Sequence, residues 1–90
     1  MVELFDNDET SYIAWVHANP QGFVANVDRA HRVPNYPMVH AATHGLMSSP
    51  KIGNFTTGAY FKFCSVKLDA LEHYSLTKFG RSLTRCAHCM

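Results

Sequence analysis

Cys86 and Cys89 stand three positions apart in the run Arg85-Cys86-Ala87-His88-Cys89-Met90. Thiolates at that spacing can aim both sulfurs at one point through a tight turn, which supplies half of a tetrahedral zinc site. The mid-chain run Val39-His40-Ala41-Ala42-Thr43-His44 offers the other half. On a straight strand His40 and His44 would lie ~13 Å apart at ~3.3 Å per residue, while zinc wants its N and S donors at ~2.0–2.3 Å. The pair converges only if the strand ends near Ala42 and the chain bends, and Gly45 is a suitable place for that break. His44 is therefore the first choice of the two, with Cys64 as the substitute for His40; the rival reading of Cys64 is a small buried hydrophobe. The predicted ligands are His40, His44, Cys86 and Cys89, holding a structural Zn2+, because four protein ligands leave no open position for a substrate.

Catalytic patterns fit less well. Zinc deaminases pair H-x-E with P-C-x-x-C and use the Glu to carry protons. Here His40-Ala41-Ala42 puts alanine where the acid belongs, and Arg85 stands where the proline belongs. A zinc hydrolase would need an open coordination position and a nearby carboxylate, for which Asp28 and Glu72 are the candidates on offer. H-E-x-x-H, G-x-S-x-G and Gly-rich phosphate loops do not occur. The chain reads as a binding module before it reads as an enzyme.

These residues must be positioned by a chain of 90 residues, which predicts one domain over 1–90 with a modest core. A metal staple would add useful stability at that size. Three cysteines suit a disulfide framework poorly, and thiols in a reducing compartment are better read as ligands or packed groups. No apolar run approaches the roughly 20 residues of a membrane span. The start, Met1-Val2-Glu3-Leu4-Phe5-Asp6, is acidic rather than basic, so a cytoplasmic protein without membrane association is expected. The formal charge of +1 makes any nucleic-acid surface a local patch.

Two helices and three strands are predicted. Asp6 and Glu9 have capping-box spacing, and Tyr12, Trp15 and Val16 share one face of a short helix that Asn19-Pro20 ends. Phe23–Val27 reads as a strand with Phe23, Ala25 and Val27 on one face, Met38–Ala42 as a second, and Ala59–Cys64 as a third and strongest. Gly45 to Gly58 reads as an irregular loop with Leu46 and Ile52 tucked inward. Ser65 can cap a helix over Val66–Phe79, closed by Gly80. The order α-β-β-β-α predicts an α+β fold: a small three-stranded antiparallel sheet, two helices against it, and a C-terminus stapled by zinc.

Four segments carry a resemblance: Trp15-Val16-His17-Ala18-Asn19-Pro20-Gln21-Gly22-Phe23-Val24-Ala25-Asn26, Val39-His40-Ala41-Ala42-Thr43-His44, Tyr60-Phe61-Lys62-Phe63-Cys64-Ser65 and Cys86-Ala87-His88-Cys89. In this order they resemble a small uncharacterised bacterial domain that reads approximately W-L-x-x-N-P-x-G-(Y/F)-V-x-N, V-H-R-A-x-C, Y-I-K-(I/V)-C-S and C-x-x-C. The second and last segments are also similar to the metal-binding part of Ada-type domains, where H-x-x-x-C precedes C-x-x-C. The resemblance implies zinc at His44, Cys86 and Cys89 with His40 involved. This chain departs from the pattern with histidine at His44 in place of cysteine and with Ala41 in place of arginine. Such domains look like companions of DNA-processing or restriction systems, which implies a nucleic-acid role in a restriction, defence or phage context.

On that reading DNA is the partner, and Arg29, Arg32, Lys51, Arg81 and Arg85 contact phosphates. The alternative is a protein-interaction or inhibitor module acting through an aromatic patch at Tyr36, Phe55 and Tyr60.

Overall fold

The computed structural model describes residues 2–29, 37–43, 55–58 and 60–85. Its elements run β1 (Glu3–Phe5), α1 (Glu9–Ala18), β2 (Phe23–Asp28), β3 (Met38–Ala41), β4 (Tyr60–Ser65), α2 (Leu68–Phe79) and β5 (Thr84–Arg85). The fold is α+β, but its sheet is not the expected three-stranded antiparallel one. Five strands form a mixed sheet in the order β1-β4-β2-β3-β5, with β3 and β5 parallel and the other neighbours antiparallel. The two strands not expected are the edge strands. They are three and two residues long, too short for a period-2 pattern to declare itself.

Two crossovers place the helices. β1 leads through α1 across β4 to the parallel β2, and β4 leads through α2 across β2 and β3 to the parallel β5. Both cross the sheet in the same direction, yet β1 and β4 are antiparallel. Crossovers of one hand must then put their helices on opposite faces. The core divides accordingly: Tyr12 and Val16 of α1 pack with Phe5, Val24, Ala42, Phe55 and Cys64. Leu71 of α2 packs with Ala25, Val27, Val39 and Phe63. Successive residues of β2 and β4 alternate between these clusters, as a pleated strand requires.

Local chemistry explains the boundaries. Asp8 caps α1 and accepts from the Ser11 N–H at 3.2 Å, while its own N–H donates to Thr56 Oγ1 at 3.0 Å. The cap thus comes from the acidic run 6–9, at Asp8, while Asp6, the residue with capping-box spacing to Glu9, is drawn away to Arg29. Asn7 takes a left-handed φ of 55°, which Asn tolerates better than most residues, and its N–H reaches Thr56 O at 2.9 Å. α1 stops where Asn19 returns both its backbone N–H and its Nδ2 to Trp15 O. Gly22 is required by close approach, since a Cβ there would lie 2.7 Å from the Trp15 ring and 3.1 Å from Asn19 O. α2 begins two residues later than its sequence suggests, because Ser65 is the last residue of β4 and its Oγ accepts from the Lys67 N–H instead. Gly80 ends α2 with a left-handed φ of 67° and an N–H to Leu76 O, as expected.

No helix among the described residues is long and apolar enough to cross a membrane.

Candidate functional site

The short strand β5 is held in place by backbone and by one carboxylate. Thr84 N–H donates to Pro37 O at 2.9 Å, and Thr84 and Arg85 pair in parallel with Met38 and Val39. Both oxygens of Glu72 on α2 accept from the Leu83 N–H at 3.2 Å, and Oε1 also accepts from the Ser82 hydroxyl. Ser75 Oγ closes the turn by donating to Arg81 O at 2.5 Å. Because ladder partners share a face, Arg85 stands on the same side as Val39, the side that α2 covers.

An open cleft of about 260 Å³ results, lined by Val39, Leu68, Asp69, Glu72, Leu83 and Arg85. Its accessible apolar floor is Leu68 and Leu83, backed by Val39, which is buried at 0 % exposure. One wall is anionic, with Asp69 and Glu72 one turn apart on α2, and the other wall, on β5, is cationic. Among the described residues Asp69 and Arg85 form no ion pair with each other, and neither side chain has a hydrogen-bonding partner. Two opposite charges therefore flank an apolar floor and remain available to something that bridges them. At this volume that something is a single extended side chain or a small molecule, since drug-sized ligands occupy ~300–1,000 Å³.

The zinc expectation is corrected. Among the described residues no three His, Cys, Asp or Glu side chains gather in a way that could hold a metal ion. His40, the one named ligand among them, lies inside β3 at 5 % exposure, paired with Val24. Val24 also pairs with Cys64, so His40 and Cys64 share a face but sit two strands apart. At ~4.8 Å per strand their backbones are separated by roughly 10 Å, so the two do not share one ion. Cys64 is instead a packed thiol at 0 % exposure, and burial pushes its pKa well above the usual thiol range. His44, Cys86 and Cys89 lie outside the described residues.

The phosphate-contact set divides as well. Arg29 is turned onto the protein: Nη1 pairs with Asp6 at 2.6 Å, Nε donates to Gly58 O, and Nη2 donates to Thr56 O and Tyr60 O. Its guanidinium also sits 5.5 Å from the centre of the Phe61 ring. Arg81 and Arg85 are exposed, and Arg32 and Lys51 lie outside the described residues. Of the expected aromatic patch, Phe55 is buried at 4 % exposure against Tyr12, Tyr60 is half-buried, and Tyr36 lies outside the described residues.

Sequence reasoning passed over Lys62. It occupies the middle of β4 at 3 % exposure, on the α1 face, where its ammonium donates to Asn26 Oδ1 and to Phe55 O at 2.7 Å. The Tyr60 ring lies 5.6 Å away. Desolvation lowers its pKa to about 8, with Cys64 and Glu9 pulling the other way. The signal was there: a sheet with a helix on each face leaves no solvated side for a central lysine.

A pH profile follows from these groups. Between pH 8 and about 10.5 the unfolded chain keeps the Lys62 proton that the folded chain has released, so stability rises with pH. Above pH 9 the unfolded Cys64 thiol ionises while the folded one stays protonated, which lowers stability, and Tyr12, also raised by burial, adds to the fall above pH 10. Urea unfolding is expected to show a gain of about 1 kcal/mol from pH 7.5 to 9, a plateau to about pH 10 where the Lys62 and Cys64 effects offset, then a decline. In Lys62→Met the gain disappears and the decline stays. A flat wild-type profile below pH 9 would refute the assignment.

The chain matches no protein-family model, no curated protein and no solved structure.

Proposed function

We propose that the chain is a small binding module whose partner is a segment of another protein, docked at the corner between α2, β3 and β5. One observation supports this above the others: among the described residues Asp69 and Arg85 carry unpaired opposite charges at one cleft with an apolar lining. Paired charges of opposite sign select orientation and register in a protein partner. A phosphate backbone asks for cations alone. Arg29 is spent on its own protein, and the two carboxylates beside Arg85 repel phosphate. DNA, the partner suggested by the sequence and by its resemblance to DNA-processing companions, therefore becomes the rival.

The test runs both arms on the full chain. Panning a random peptide library should enrich peptides that lose roughly tenfold or more in affinity on Arg85→Glu. Duplex DNA of about 20 base pairs should show no binding at about 20 mM salt. Salt-sensitive duplex binding, or enriched peptides indifferent to Arg85→Glu, would overturn the proposal.

A further inference from the structure

The polarity of the cleft says more about its occupant, on the assumption that this corner is the binding site. Its anionic wall belongs to the helix and its cationic wall to the edge strand, and Leu68 and Leu83 supply its accessible apolar lining. A ligand that satisfies both walls must be charged at its two ends and apolar in its middle. An α-amino acid with an aliphatic side chain has the wrong order, because its two charges are adjacent and its apolar part projects to one side. A lone cation leaves Arg85 unpaired, and a lone carboxylate faces Asp69 and Glu72.

Among protein groups, a basic residue at a chain's C-terminus has charge, aliphatic stem and opposite charge in line, and lysine has the longer stem, four methylenes against the three of arginine. We infer that the cleft captures the C-terminal lysine of a protein partner, with its ammonium at Asp69, its four methylenes over Leu68 and Leu83, and its terminal carboxylate on Arg85. Glu72 adds negative charge to the ammonium end while its oxygens hold Leu83 and Ser82. The guanidinium can accept the carboxylate in a two-pronged contact. The stem buries its methylenes while each charged end keeps a partner, which is how long cationic side chains normally lie on apolar surface.

The experiment uses the isotope-labelled full chain and follows its amide and methyl resonances. The probes are 6-aminohexanoate, hexylamine, hexanoate, a peptide ending in lysine, and the same peptide with an amidated C-terminus. 6-Aminohexanoate and the free-lysine peptide should shift Val39, Leu68, Leu83 and Arg85 together. Hexylamine, hexanoate and the amidated peptide should bind at least roughly tenfold more weakly. Asp69→Asn and Arg85→Gln should each lose a similar factor while their remaining resonances stay in place, showing the fold intact. Shifts that hexylamine reproduces at equal affinity, or no response at these residues, would overturn the inference. Library peptides that bind at this corner without a terminal lysine would sink it and leave the binding-module reading standing. Absence of both kinds of binding would sink both.

Discussion

Phe63→Ala is expected to destabilise the protein by about 4 kcal/mol, the upper part of the range for removing a buried aromatic ring. Phe63 is at 0 % exposure at the centre of β4, opposite Ala25. Its ring lies 4.8 Å from that of Tyr74 and 5.8 Å from that of Phe79, so one side chain joins the sheet to both ends of the second half of α2. Ala25 is too small to fill the hole, and the helix cannot settle onto the sheet without moving Leu71. A domain of this size holds roughly 5–13 kcal/mol in total. The melting temperature should accordingly fall by about 15–30 °C. Leu4, next to Phe63 in the ladder but 53 % exposed, makes the control, and Leu4→Ala should cost under about 1 kcal/mol. Equal effects at the two positions would refute the burial described for this face.

Arg29→Ala should cost about 2–3 kcal/mol, and Arg29→Lys should rescue little of it. The guanidinium ties the end of β2 to Asp6, to the turn at Thr56 and Gly58, and to the start of β4. A lysine ammonium has three donors on one atom and cannot span those acceptors, whereas the planar fork can. The ion pair itself contributes the smaller part, because Arg29 and Asp6 are 36 % and 41 % exposed and water screens them. Asp6→Ala should therefore cost under about 1 kcal/mol. A lysine variant as stable as wild type would show that charge, and not the geometry of the fork, is what the site uses. The same finding carries a functional consequence: an arginine committed to three carbonyls is a poor phosphate contact.

Where the sequence was readable, it was readable through strong local signals. Asn19-Pro20 ends α1 and Gly80 ends α2 because backbone restriction at these residues acts without help from the rest of the fold. The alternation of Phe23, Ala25 and Val27 is a real face, packed under α2. The edge strands escaped because their stability comes from partners distant in sequence. Glu3–Phe5 reads as an acidic lead-in until it is laid against Lys62–Cys64, and Thr84–Arg85 reads as an approach to Cys86 until it is laid against Met38–Val39. For zinc, the described residues gather no metal-holding cluster, and the one named ligand among them, His40, is buried in β3 by ladder partners distant in sequence. The carboxylates that line a cleft with Arg85 come from a helix more than ten residues away, so the sequence around Arg85 does not announce them. Lys62 and Glu72 do their work through contacts that only the folded chain assembles.

Parallel pairing of β5 with β3 is what carries Arg85 to the cleft and ties the segment after α2 to the middle of the sheet. Amide hydrogen exchange at Thr84, whose N–H donates to Pro37 O, measures that pairing directly. The predicted result is exchange slowed at least roughly a hundredfold relative to an unstructured peptide, with the protection unchanged by a metal chelator. Exchange at the free-peptide rate, or protection that vanishes with the chelator, would contradict it.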